Sequence, residues 1–245
     1  MNEYPMRINK YLALKNISTR RGADELIEKK QVFINGKFAV LGSKVNKNDK
    51  VEVKGNTSTK KLIYYAYNKP IGIITSDISV NGMFPIGRLD KNSHGLIILT
   101  NDGRITDKLL NPKYFHEKEY IVKTSNKLRS SFKQKMENGV NIDPVRSRSP
   151  QGDRSTRFAR AASNGVEGYV TKKCKIQIVN DHTFKIILSE GKKHQIRRMC
   201  SVLFQEVADL MRVRIINIEL DSLKPGAFRE IKGNELDNFL GTILK

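Results

Sequence analysis

The run Gly87-Arg88-Leu89-Asp90-Lys91-Asn92-Ser93-His94-Gly95 followed by Leu96-Ile97-Ile98-Leu99-Thr100 constrains this chain more than any other stretch. Four consecutive apolar residues, two of them β-branched, between glycine-containing turns predict a buried strand. The segment before it is a glycine-broken turn that delivers one carboxylate, Asp90, to the end of that strand. An aspartate beside glycine is ordinarily a turn former. Arg88, two residues away in an extended segment, points to the same side as Asp90, and its charge favours an ionised carboxylate and attracts phosphate.

Charge agrees with a polyanionic partner. The 245 residues carry 45 Lys+Arg against 25 Asp+Glu, a formal charge of +20. Internal ion pairs cannot absorb that excess, so much of it faces solvent or nucleic acid. With 38% hydrophobic residues the chain can build a real core. The two cysteines, Cys174 and Cys200, lack disulfide or zinc spacing, and the four histidines are not clustered, so no metal site is expected. The start Met1-Asn2-Glu3-Tyr4-Pro5 has no apolar secretion core and no run reaches membrane-spanning length, which predicts a cytoplasmic protein with no membrane partner.

Residues 5–56 read as a small helix–helix–strand unit. Ile8, Leu12 and Ala13 recur at helical spacing, Ser18-Thr19 caps a second helix with Ala23, Leu26 and Ile27, and Asn35-Gly36 turns a hairpin after Val32 and Ile34. Its polar side is basic, with Arg7, Lys10, Arg20 and Arg21 as candidate RNA contacts. Cations at a helix start oppose the macrodipole, and a phosphate backbone gives them a reason to be there. The stretch Lys54–Lys61 lacks apolar periodicity and reads as a linker.

From residue 62 to 245 short apolar strands alternate irregularly with helices. Strand–turn–strand is expected over 65–75, a strand over 96–99, a helix over 106–110 and a strand over 118–122. Paired strands are expected over 170–178 and 184–188, a helix over 197–204, a strand over 213–220 and a helix over 235–240. Without regular βαβ alternation this predicts an α+β domain on a mixed, largely antiparallel sheet. Pro144–Gly168, rich in Arg and Ser, has the composition of a disordered insert.

The runs Gly87–Gly103, Tyr65–Thr75, His116-Glu117-Lys118-Glu119-Tyr120 and Gly191–Cys200 resemble the signature segments of RsuA-type pseudouridine synthases. Arg7-Ile8-Asn9-Lys10-Tyr11-Leu12, Ser18–Arg21 and Val32–Gly36 resemble the alpha-L RNA-binding domain. The resemblance implies that Asp90 is the catalytic residue. It also implies that Tyr120 walls the extracted base, with Leu210 and Ile196 lining the same pocket, and that Arg197 holds Asp90 in an ion pair. Gly87, Arg88, Leu89, His194, Gln195, Ile196 and Arg198 would lie along the RNA. His194 is similar to the sister RluA-type motif, and the connection over 76–84 is shorter than is usual.

Phe84-Pro85-Ile86 and Arg212–Asn217 bring the chain closest to the RluF branch. That implies isomerisation of a uridine in structured RNA, 23S ribosomal RNA or a ribosomal assembly particle, with transfer RNA as an alternative substrate. The enzyme would act as a monomer and without cofactor. The carboxylate would serve either as nucleophile at the anomeric carbon or as base at its neighbour. The rival expectation is a catalytically silent RNA-binding or ribosome-assembly protein.

Overall fold

The computed structural model describes residues 4–15, 17–54, 61–78, 80, 82–142 and 168–244. The N-terminal part runs β1 (Met6–Arg7), α1 (Ile8–Leu14), α2 (Arg20–Glu28), β2 (Val32–Ile34), β3 (Lys37–Phe38), β4 (Lys44–Val45) and β5 (Val51–Val53). Ile8, Leu12, Ala23, Ile27, Val32, Ala39 and Val45 form a core of their own. The i, i+4 pairs Ile8/Leu12 and Ala23/Ile27 are the buried stripes of the two helices. Thr19 caps α2, its hydroxyl oxygen accepting from the Gly22 N–H at 3.0 Å. Asn35 and Gly36 both take positive φ, 50° and 77°, as a two-residue hairpin of this twist requires.

The rest runs β6 (Tyr64–Lys69), β7 (Phe84–Ile86), β8 (His94–Thr100), α3 (Ile105–Leu110), β9 (Lys118–Thr124), α4 (Phe132–Glu137), β10 (Asn141–Ile142), β11 (Tyr169–Val170), β12 (Lys175–Asn180) and β13 (Thr183–Leu188). It continues with α5 (Gln195–Val202), β14 (Val207–Ile215), β15 (Ile218–Glu219), β16 (Phe228–Glu230) and α6 (Gly233–Ile243). Nine strands share one sheet in the order β12-β13-β9-β14-β8-β6-β16, with β15 on β14 and β7 on β8. Its pairings are antiparallel except β8 with β14. The fold is therefore α+β on a mixed, largely antiparallel sheet.

Alternation along β8 sends Leu96 and Ile98 to one face and Ile97 and Leu99 to the other. The first face is covered by α3 and α6 through Ile105, Leu109, Phe239 and Ile243. The second carries two clusters, one under α4 and α5 and one under loop residues Ile78, Met83 and Leu89. Tyr120 packs against both. It joins the two.

The sheet forks at β8. One edge of β8 pairs with β6 from Gly95 to Thr100. The other edge is divided: β14 holds only His94 and Gly95, and β7 holds Ile98 to Thr100. Arg212, 3% exposed, fills the gap, its Nε donating to the Leu96 carbonyl at 2.7 Å. Its Nη2 is buried and meets no hydrogen-bond partner among the described residues.

Several expectations change. Residues 71–75 are not a strand: Gly72 turns at φ +88° and a 3₁₀ turn follows over Thr75–Asp77. Helix α5 begins at Gln195, two residues earlier than expected, and β14 begins at Val207, six residues earlier. Tyr169–Val170 pairs with Asn141–Ile142, leaving β12 alone to pair with β13 in the expected antiparallel set. Helix α4 was not anticipated; Phe132 and Met136 are its buried side chains. The insert, except Gly168, lies outside the described residues, as do residues 55–60 of the linker. No helix among the described residues is long and apolar enough to cross a membrane.

Candidate active site

The Asp90 side chain is 40% exposed, with His194 Nε2 3.3 Å from its Oδ1. Both backbones are built for this. Gly87 takes φ +79° and lies so close to Leu110 that an added Cβ would sit 3.1 Å from its Cδ2. Thr75 then fixes the loop: its hydroxyl donates to the Leu89 carbonyl at 2.8 Å and accepts from the Leu89 N–H at 3.1 Å. His194 takes left-handed φ (53°) at the N-cap of α5. A conformation unfavourable for a branched ring persists when its surroundings over-determine it, and such positions concentrate at functional sites.

The expected Arg197–Asp90 ion pair is not formed. The early start of α5 puts His194 opposite the carboxylate and Arg197 one turn further on. There Arg197 donates to the Asn92 carbonyl at 2.8 Å and the Val207 carbonyl at 3.1 Å. It ties the turn after Asp90 to α5 and to the start of β14. A second tie is His94 Nε2 to Asp209 Oδ1 at 2.9 Å.

Other residues expected along the RNA fall into two groups. Arg7, Lys10, Arg20, Arg88 and His194 are exposed, and Arg198 is half-buried with its guanidinium near the Lys193 carbonyl. Leu89, Gln195 and Ile196 are instead buried, at 8%, 4% and 5% exposure. Leu89 and Ile196 are apolar and complete the two clusters on either side of Tyr120. Gln195 is consumed by Glu190, donating to its Oε1 at 2.7 Å. Leu210 is buried at 5% in the cluster beneath Tyr120. The side chain of Arg21 lies outside the described residues.

Four residues were missed. Lys69 has no exposed surface, yet its Nζ donates to the carbonyls of Pro70 (2.9 Å) and Ile73 (2.7 Å). Burial holds its pKa below the usual lysine value, and the nearby Asp90 charge opposes that shift. Glu190, 3% exposed, accepts from the Tyr169 hydroxyl, the Lys172 N–H and Gln195, bracing the turn before His194. Arg212 occupies the fork. Lys118 shares the Tyr120 face of β9 by the two-residue period, and burial, with the Arg212 charge second, pushes its pKa down to about 8.

The Lys118 shift fixes a pH dependence. Between about 8 and the ordinary 10.5 the unfolded chain binds this proton and the folded chain does not, so stability rises with pH across that window. Lys118→Met should flatten that rise in urea titrations taken from pH 7.5 to 10.5. An unchanged slope would show that Lys118 is solvated.

Among the described residues no group of three or more His, Cys, Asp and Glu is placed to hold a metal ion. What the site offers chemically is one accessible carboxylate beside an imidazole, next to the apolar cluster of Leu89 against which Tyr120 packs.

The family model described as RNA pseudouridylate synthase matches residues 45–202, well over half of the chain, so the chain belongs to the pseudouridine synthases. An S4 domain model matches residues 6–51. Among curated relatives, the dual-specificity RNA pseudouridine synthase RluF of Escherichia coli strain K12 is 36% identical, covering 94% of this chain and 77% of that protein. The ribosomal large subunit pseudouridine synthase B of Bacillus subtilis is 30% identical over 94% of this chain and 93% of the relative. A solved pseudouridylate synthase superposes with a TM-score of 0.64 at 25% identity, covering 95% of this chain and 99% of that one. The protein is an RNA-modifying isomerase.

Proposed function

We propose that the chain converts a uridine of large-subunit ribosomal RNA to pseudouridine, with Asp90 as the catalytic residue. The observation that carries this is the setting of Asp90: an accessible carboxylate 3.3 Å from His194, on a loop pinned at Thr75 and Arg197, next to Leu89, whose cluster Tyr120 packs against. The reaction breaks the bond from C1′ to N1 and forms one from C1′ to C5; C5 gives up a proton and N1 gains one. Nothing is oxidised or reduced, so the chain's own groups suffice. Attack at C1′ and proton removal at C2′ both demand an ionised carboxylate at the sugar. Tyr120 offers a flat wall against which the free base can turn, and Leu210 and Ile196 keep the floor beneath it dry.

The Bacillus subtilis relative named for the large ribosomal subunit supports that RNA as substrate, and the excess of basic residues supports a nucleic-acid partner. The purified protein should release tritium from RNA labelled at uridine C5, because that hydrogen leaves as C5 bonds to carbon. Pseudouridine mapping of ribosomal and transfer RNA from cells with and without the gene then identifies the site. No change in the large-subunit RNA would sink the substrate assignment.

Residues 5–56 act as the grip on structured RNA and 62–245 as the catalytic domain. Arg7, Lys10 and Arg20 are exposed on the first. Removing residues 1–56 should weaken binding and flatten its dependence on salt, because several phosphate contacts are lost together. Binding across 50–300 mM salt with the same slope for both proteins would contradict the grip.

A further inference from the structure

The segment after β6 is folded with its backbone inward and its apolar side chains outward. Lys69, buried in the sheet, draws the carbonyls of Pro70 and Ile73 toward its ammonium. Gly72 donates its N–H to the Lys91 carbonyl at 2.8 Å, bonding the loop to the residue next to Asp90. Ile71, Ile73 and Ile74 are left 57%, 41% and 48% exposed. Isolated exposed apolar residues need no explanation, but three isoleucines within four positions, on a loop bonded to the residue next to Asp90, form a patch that does.

We propose that Ile71, Ile73 and Ile74 are a wedge that enters the base stack of the RNA beside the target uridine and holds open the space it leaves. The inference rests on the isomerase reading. A uridine stacked in a helix cannot bring its sugar to Asp90; it must first leave the stack, at a cost of a few stacking and pairing interactions. The vacated slot is flat and apolar on both sides, which suits aliphatic side chains and not hydrated cations such as the neighbouring Arg88 and Lys91. Three bonds fix the wedge to the catalytic loop: Gly72 to Lys91, and Thr75 to both the N–H and the carbonyl of Leu89. Insertion therefore places Asp90 in register with the extruded nucleotide. Arg88 and Lys91, both exposed on that loop, supply charge for the flanking phosphates.

The test uses two hairpins carrying the uridine that the wild-type enzyme converts. One is intact; the other has an abasic nucleotide on the 3′ side of that uridine, so the base is already loosened. The triple variant Ile71→Ser, Ile73→Ser, Ile74→Ser should lose at least tenfold in kcat on the intact hairpin and stay within about twofold of wild type on the abasic one. The matching triple Leu variant should keep wild-type turnover on both. Equal losses on the two hairpins, or no loss on either, would overturn the wedge while leaving the isomerase reading intact. A loss seen only on ribosomal particles and on neither free hairpin would assign the loop to a ribosomal protein and overturn it too. Wild-type enzyme that forms no pseudouridine in any RNA would overturn both readings.

Discussion

Asp90→Asn should lose pseudouridine formation by about a hundredfold or more while RNA binding and thermal stability stay near wild type. Asparagine keeps the size of the side chain and its capacity to accept a hydrogen bond, but it supplies neither a nucleophile nor a base at the sugar. The side chain is 40% exposed and belongs to no hydrophobic core cluster, so the fold has little to lose by the change. Tritium release by the purified variant above about a hundredth of wild type would remove Asp90 from the chemistry. The same assay on His194→Ala separates the two partners. If the imidazole only orients the carboxylate, activity falls and the residual activity keeps its dependence on Asp90.

Gly95→Ala should be the most damaging single methyl in the catalytic part. Gly95 takes φ +102°, and an added Cβ would sit 2.3 Å from the Arg212 carbonyl oxygen and 2.8 Å from its nitrogen. Those are backbone atoms of the neighbouring strand, with no flexible end to swing aside. Either β8 and β14 part at their sole parallel contact or both distort. A destabilisation of about 3 kcal/mol is expected, which for a chain of this size lowers Tm by roughly 6–12 °C. Activity should fall further than the loss of folded protein explains, because the same contact sets the spacing between the Asp90 loop and Tyr120. A Tm within 2 °C of wild type would show that the strands slide freely here.

The Asp90 turn was legible because glycine, a charged pair and an apolar run follow one another without interruption. The strand β9 and the helices α3 and α6 were legible from period alone. What the sequence hid was the use to which charged side chains are put inside the sheet. Val207–Ile215 did not read as one strand because Asp209 and Arg212 break its alternation; in the fold His94 takes the first and the Leu96 carbonyl the second. Lys69 looked like one more solvated lysine in a chain rich in them, and only the geometry shows two carbonyls converging on it. Residues 71–75 looked like a strand because isoleucine favours one, whereas Gly72 and the Lys69 ammonium together turn the chain. Arg197 was picked out by resemblance, but its partner depended on a helix start that two residues decide.

The parallel contact of β8 with β14 also governs when the enzyme becomes competent. His94 meets Asp209 across 115 residues of chain, and Arg197 meets Asn92 across 105. The Asp90 turn therefore has its local bonds to Thr75 and Gly72 early but lacks these two ties until β14 has docked, so a nascent chain ending before Val207 carries the aspartate without its full setting. The entropy of closing so long a segment grows only with the logarithm of its length. Lengthening it from about 90 to about 115 residues, the increment that residues 143–167 represent, adds about 0.2 kcal/mol. A closure already that long is insensitive to added sequence, so the cost of extra chain between β10 and β11 falls on the shorter loop that their own antiparallel pairing closes.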